Sequence, residues 1–469
     1  MVFDRDGPAL RSFSYDASRC APMADAAGVF DDRRMAIAPS KNGAPSGEAP
    51  QGRKPAWWKT LGPGLITGAA DDDPSGIATY TQAGAQFGYG IGWTVLLTFP
   101  LMVGIQLASA RIGRITGKGL TENLAKLCPA WLVKGLVSLL VVANVINLGA
   151  DLNAMADALA QVLGGPAAPY AIGFGLLSLG LQVWLPYQRY VGILKWLTLS
   201  LFAYVGVAFA VHVDWRAALH GALLPQISWS KDYVTTIVAI LGTTISPYLF
   251  FWQAALEVEE IHRVAEDQPL LRAPAQRAAQ FKRLRLDTIV GMGFSNLIAF
   301  FMIVASAATL HQQGISHVET TTQAAEALKP IAGNFAFVLF AAGIIGTGLL
   351  ALPVLAGSAA YAVASVARVR KGLDQPLHLA KAFYGILAAA MAVGVCISIA
   401  GFNPMSALYW SAVVNAVIAV PIMVGVMIAS STPKVIGTMP LGRVWRVLGW
   451  GATFVMAAAS VAMLVASVL

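Results

Sequence analysis

The amino-acid sequence predicts an all-α polytopic membrane protein with two interrupted helices. Three observations lead there. The 469-residue chain is 57% hydrophobic and only 12% charged, about half the charge of a soluble globular domain. Apolar runs recur from residue 61 to residue 467, each near the roughly 20 residues that cross the hydrocarbon core of a bilayer as a helix. Two of those runs carry a proline among polar residues at their centres.

Residues 1–55 are polar and rich in Ala, Gly, Pro and Asp, with no periodic apolar face. They read as a disordered cytoplasmic tail and lack the continuous apolar core of a signal peptide. The transporter-like domain follows at 56–467. Eleven spans are expected, at 61–86, 91–111, 131–162, 168–186, 191–212, 233–256, 286–310, 333–366, 379–400, 404–429 and 444–467. The third and eighth are long enough to tilt or to project from the bilayer. With the N-terminus inside, nine of the 32 Lys and Arg residues lie in the tail and its junction and twenty in inside loops; only Arg216, Lys231 and Lys329 lie outside. This asymmetry predicts a cytoplasmic N-terminus, an outward C-terminus and an odd number of spans. It also accounts for the +8 net charge without a nucleic-acid partner; the expected surroundings are a lipid bilayer. Cys20, Cys128 and Cys396 form no CxxC, and the six histidines fall at span ends or in loops, so neither a disulfide framework nor a zinc site is indicated.

The first span contains "GAADDDPSGIATY", residues 68–80. Proline removes a backbone donor and clashes with the preceding turn, and the residue before it is driven out of the α region. The helix is therefore expected to open around 73–76. Irregular backbone at that depth survives only in a cavity or inside protein; the competing reading is a polar loop between two short reentrant segments. An ionised aspartate at mid-bilayer costs roughly 2.5–3.5 kcal/mol on insertion scales. Successive helical residues point about 100° apart, so the three carboxylates cannot share a direction. Asp73 is expected to face the cavity; Asp71 and Asp72 face water or partner groups, or stay protonated. The sixth span breaks at Ser246-Pro247 after the polar run Gly242-Thr243-Thr244. Spans 1 and 6 each open a group of five, and interrupted helices at matching positions of two halves mark an inverted-repeat transporter with its site between them. The repeats fall at about 61–212 and 233–429, with 444–467 as an extra helix. A carboxylate beside freed carbonyls suits a cation.

These motifs resemble the Nramp family of divalent metal transporters. The likeness starts at "GPGLITGAADDDPSGIAT", continues at "ADLNAMADAL" in span 3 and returns at "GTTISPYLFFWQ" in span 6. It implies a LeuT-like fold of eleven or twelve helices and alternating-access movement of a divalent metal. The metal is then the transported substrate; no cofactor and no enzymatic activity are expected. Carried over, the family's metal-binding aspartate falls on Asp73 and its asparagine on Gly76. The span-6 carbonyl donor falls on Thr243, the methionine on Ser246, and the two histidines on Tyr248 and Gln253. The span-3 aspartate is kept as Asp151, while its acidic partner is Ala154. The lost thioether removes the ligand that favours softer transition metals. Mg²⁺ dehydrates reluctantly and keeps several waters, so a roomier oxygen site suits Mg²⁺, with Mn²⁺ second. The pattern resembles the Nramp-related magnesium transporters, in which proton coupling is thought to be lost.

Several residues keep two readings. Asp72, Asp151 and Asp157 could carry protons; Asp151 is alternatively a buried tie to Asn147 or span 8, and Asp157 faces elsewhere near the outer interface. Asn415 offers an amide oxygen to the metal or serves as interhelical glue. Glu257, Glu259 and Glu260 form a solvated helix end or a cation-attracting exit. The function alternatives are a proton-coupled Mn²⁺/Fe²⁺ importer and, from another class, an organic-solute symporter, whose substrate carboxylate Asp73 would repel.

Overall fold

The computed structural model describes residues 63–185, 201–264 and 266–468, and these are helical with no strand. The tail at 1–55 and most of the fifth predicted span lie outside the described residues. The spans are α1 (Pro63–Ala69) with α2 (Pro74–Phe87), α3 (Trp93–Thr116), α4 (Ala130–Leu163), α5 (Ala167–Trp184), and α6 (Phe202–Ala210), the described portion of span 5. The second set is α7 (Lys231–Thr244) with α8 (Pro247–Arg263), α9 (Arg277–Thr309), α10 (Ala336–Ala367), α11 (Lys381–Ser398) and α12 (Pro404–Ala429), followed by α13 (Arg443–Val468).

Both breaks form where proline demands them, but each opens N-terminal to its proline. The first break is therefore 70–73 rather than 73–76, and Gly76 already lies in the first turn of α2. The reason is local. Proline at the first helical position loses no hydrogen bond, because that N–H has no intrahelical partner anyway. Asp73, in extended backbone at φ −74° and ψ 172°, caps α2 by accepting from the Gly76 N–H, a standard use of aspartate at a helix start. In span 6, Pro247 opens α8 and Ile245 and Ser246 form the gap.

Packing carries the repeat. The first broken span lies along α9, and α8 of the second lies along α3. Advancing each member by five spans converts the first pairing into the second. The same step leaves the pairing of α4 with α10, the third and eighth spans, unchanged. Close backbone approach fixes two of these crossings. A Cβ on Gly68 would stand 2.3 Å from the Gly291 carbonyl oxygen on α9, and one on Gly242 would stand 1.9 Å from that of Ala412 on α12. Small residues permit such contact between helices in lipid, where dispersion and not hydrophobicity drives association. The crossing of α7 with α12 brings Gly242, three residues before Ile245 of the second break, against Ala412 and Ala416, which lie on either side of Asn415 in sequence. α13 packs on α3, α7 and α12.

α4 has 34 residues and α10 has 32; at 1.5 Å per residue each runs about 50 Å, longer than a hydrocarbon core of about 30 Å. α9 reaches back to Arg277, nine residues before its expected start. Its polar first turns are tied down by an ion pair from Arg283 Nη2 to Glu257 on α8 at 2.5 Å. Glu257 is fully buried there, which replaces the expectation of a solvated carboxylate at that helix end. Glu260 pairs with Arg263 at 2.6 Å, and Glu259 accepts from the Tyr361 hydroxyl and the Leu373 N–H.

Candidate functional site

Asp73 is 1% exposed, and all its partners are protein groups. Its Oδ1 accepts from the Ser75 hydroxyl at 2.6 Å and the Gly76 N–H at 2.9 Å. Its Oδ2 accepts from the Asn147 amide on α4 at 3.0 Å and the Tyr248 hydroxyl on α8 at 3.0 Å. Four donors from three spans thus converge on one carboxylate at the gap between α1 and α2. Charge-assisted bonds of this kind are about twice as strong as neutral ones. Thr243, at the end of α7, reaches the same cluster through its hydroxyl, 3.4 Å from that of Ser75. No sulfur is among the atoms bonded to Asp73; Met155 packs its thioether toward Gly348.

The other predicted residues divide. Gly76 sits against Thr243: a Cβ there would lie 3.3 Å from the Thr243 hydroxyl and 3.3 Å from the Tyr80 ring. The position therefore borders the cluster with little spare room, against the expectation of an enlarged chamber at this point. Ser246 does not present its hydroxyl to Asp73. It turns back along its own chain and donates to the carbonyls of Gly242 at 2.7 Å and Thr243 at 3.0 Å, as serine does near a helix end. Asn415 is fully buried and neither amide atom has a partner. Tyr248, expected on the ion or proton pathway, donates its hydroxyl to the central carboxylate. Gln253 lies two turns along α8 from the break and is held by the Gln106 amide at 2.6 Å, in a tie between α3 and α8.

Asp71 and Asp72 turn to α9, on the other side of the break. Both approach the Ser295 hydroxyl, at 2.5 Å and 3.0 Å, and one oxygen of each is buried without a partner. A hydroxyl has one proton to give, so the two carboxylates share one donor. Asp151 on α4 is fully buried with neither oxygen partnered. It is not tied to Asn147, whose amide nitrogen goes to Asp73. Asp157 accepts from Gln161 and Thr321, both at 2.7 Å, in an interfacial tie. Sequence reasoning offered Asn147 as a tie to Asp151 and not to Asp73, and it missed Ser75 and Ser295 as partners of the aspartates. Asn147 was within reach of it: it lies four residues before Asp151 on a helix, hence on the same face.

Two cavities flank this enclosed cluster. One of about 310 Å³ is lined by Gln82 and Gln86 of α2, Asp232 of α7, His317, Glu319 and Tyr409. The other, about 110 Å³, is lined by Glu259, His262, Tyr361, Lys371 and Asp374. Neither is lined by Asp73. The buried carboxylate thus lies between two broken helices, and neither cavity reaches it. Among the described residues, no group of three or more His, Cys, Asp and Glu comes together as a metal cage. One carboxylate with amide, hydroxyl and carbonyl oxygens remains.

Comparison with known proteins decides the family. The pattern described as natural resistance-associated macrophage protein-like (Nramp) matches residues 64–466. The chain belongs to the Nramp family. Nramp proteins are multi-pass membrane transporters of divalent metal cations, with the metal as substrate. Similar curated relatives include the divalent metal cation transporter MntH of Acidiphilium cryptum, 26% identical over 421 residues, which span 86% of this chain and 89% of the relative. MntH of Deinococcus radiodurans is 26% identical over 410 residues, 83% of this chain and 86% of the relative. Among solved structures, an Eremococcus coleocola manganese transporter in complex with an aromatic bis-isothiourea substituted compound superposes with a TM-score of 0.71 at 15% identity, over 88% of each chain. A nucleobase-cation-symport-1 family transporter does so with a TM-score of 0.55 at 14% identity, over 87% of this chain and 90% of that one. At these identities the likeness is one of fold. It places this Nramp chain in the LeuT-like class, where fold alone does not set the substrate.

Proposed function

We propose that this Nramp chain is a secondary transporter or facilitator that imports partly hydrated Mg²⁺, with Mn²⁺ as second choice, by alternating access. It sits in a bacterial-type plasma membrane with its N-terminus cytoplasmic and its C-terminus outside, an orientation supported by the Lys and Arg asymmetry. Repeat one covers about 61–212 and repeat two about 233–429, with 444–467 as the extra helix. The observation that supports the substrate is the side chain beside the second break: Ser246, a hydroxyl, stands where the family's thioether would be, and Ser75, Thr243 and Tyr248 add hydroxyls around Asp73. Hard oxygen donors suit Mg²⁺, and sulfur would favour softer ions. Asp73 anchors the ion beside Gly76, and the Thr243 carbonyl and Ser246 hydroxyl join once their mutual bond opens. Asn415 brings an amide with no other partner. Asp72, Asp151 and Tyr248 border the pathway; Gln253, held by Gln106, supports α8 from outside it.

Uptake into proteoliposomes enclosing a pH dye, with Mg²⁺, Mn²⁺ and Cd²⁺ in competition, tests this directly. Asp73→Ala abolishes metal-dependent uptake, and Mg²⁺ enters the wild type without acidifying the lumen. Full uptake by Asp73→Ala would end the site assignment. A second reading, a proton-coupled Mn²⁺/Fe²⁺ importer, draws support from the buried, unpartnered carboxylate of Asp151 and predicts lumenal acidification. An organic-solute symporter on this fold would have to bring its substrate's carboxylate against Asp73, which opposes that class.

A further inference from the structure

The Asn147 side chain is fully buried on α4. Its two polar atoms are unequally used. Nδ2 donates to Asp73 Oδ2 at 3.0 Å, while Oδ1 has no partner. An amide carries two donors and an acceptor with two lone pairs, and leaving a buried amide oxygen empty is unfavourable. The nitrogen faces Asp73 because a carboxylate accepts and cannot donate. A cation on Oδ2 reverses that preference, since it repels the N–H and attracts an oxygen. Turning the amide over exchanges the two atoms in one volume, without moving α4.

Among the described residues hydrogen-bonded to Asp73, Asn147 is the one with a side-chain amide. At Gly76, a Cβ would meet Thr243 and Tyr80 at 3.3 Å, so a longer side chain on the α2 wall would require those two side chains to shift. Asn415 approaches from α12, beside α7. Asn147 approaches from α4, in bonding distance of the anchoring carboxylate. On the same α4 face, Asn144 Nδ2 holds the Leu355 carbonyl at 2.8 Å and the Ser358 hydroxyl at 2.7 Å on α10, and Asp151 is buried with neither oxygen partnered, without a hydrogen bond to Asp73.

We propose that Asn147 is a ligand of the transported divalent cation, supplying its amide oxygen after turning over, and that it helps set the preference for hard ions. This rests on the assignment of Asp73 as the anchor. In the structure the same amide holds the carboxylate in place.

The test uses full-length purified protein and titrations with Mg²⁺ alone and Cd²⁺ alone, in wild type, Asn147→Leu, Asn147→Cys and Asp73→Ala. Leucine keeps the volume and removes the oxygen; Mg²⁺ affinity falls at least tenfold. Cysteine replaces a hard donor by a soft one, and the ratio of Cd²⁺ to Mg²⁺ affinity rises at least tenfold over wild type. A residue that only positions Asp73 would not move that ratio. The cysteine variant also guards against misfolding of the leucine one, with thermal unfolding as a check on both. A Cd²⁺/Mg²⁺ ratio within twofold of wild type in Asn147→Cys overturns the proposal. The underlying anchor is judged separately: Asp73→Ala that still binds metal removes the assignment itself, whereas lost binding there with an unmoved Asn147→Cys ratio removes Asn147 alone.

Discussion

Tyr248→Phe separates two ways an ion can meet Asp73. In the structure the Tyr248 hydroxyl donates to Asp73 Oδ2 at 3.0 Å, and both residues are buried. A hydrogen bond to a charged group contributes about 1.5–3 kcal/mol. A divalent ion that coordinates Oδ2 directly must displace this donor, so the bond stabilises the ion-free protein and opposes binding. Deleting the hydroxyl leaves the ring and its packing in place and takes that stabilisation from the ion-free state only. Affinity then rises by the same free energy, roughly 10- to 150-fold at about 1.4 kcal/mol per decade. The ion-free variant should also unfold at lower temperature than wild type, with the difference closing at saturating metal. Mg²⁺ and Mn²⁺ titrations of purified protein, paired with thermal unfolding in chelator and in excess metal, measure both arms. Weaker binding by Tyr248→Phe, with ion-free stability unchanged, would refute displacement. It would show that the hydroxyl serves the loaded site, through its oxygen or a water.

Two further predictions concern the scaffold. Gly242→Val forces α7 away from the Ala412 carbonyl, which a Cβ would approach at 1.9 Å; overpacking of this kind costs about 1–3 kcal/mol, read as a lower unfolding temperature and slower uptake because the crossing that seats Asn415 widens. Glu257→Gln strips the charge partner from Arg283 in a buried pair at 2.5 Å, a loss of about 3–5 kcal/mol; the double variant Glu257→Leu/Arg283→Met should recover most of the unfolding temperature, and failure to recover would mean that the pair itself, and not the stranded charge, supplies the stability.

The features of the fold set by local chemistry were readable from the chain. Pro74 and Pro247 interrupt their spans where polar residues precede them, whereas Pro100, Pro353 and Pro421 stand inside continuous helices; the cap that Asp73 places on α2 was not anticipated. Hydropathy located the spans that the described residues contain because lipid tests the composition of each segment separately. What escaped depends on neighbours brought from elsewhere. Arg277 to Arg285 look like loop because they are polar, yet they continue α9, since their helix packs outside the apolar layer and Arg283 finds Glu257. Ser246 was expected to face the ion because the family's sulfur ligand stands there, but a serine hydroxyl is short and finds its own chain's carbonyls first. Asn147 lies on a different span from both breaks, so its bond to Asp73 cannot be read from either motif. Its place on the face of Asp151 was visible; its partner was not.

Three consecutive aspartates in a membrane span are tolerated because the break gives them different neighbours. Asp73 becomes a helix cap, and its four donors come from a backbone N–H, two hydroxyls and an amide. Three of those four can rotate away or reverse without disturbing a helix; only the Gly76 N–H is fixed. Asp71 and Asp72 face α9, where Ser295 is the donor between them and the crossing at Gly68 and Gly291 leaves no space for a larger group. An arriving ion can therefore exchange partners at Asp73 by side-chain rotation alone, while at Asp71 and Asp72 it would have to pry apart a pair of helices in backbone contact. The difference in mobility of the neighbours, more than the charge itself, is what favours Asp73 over Asp71 and Asp72 in the proposal that it binds and releases the ion.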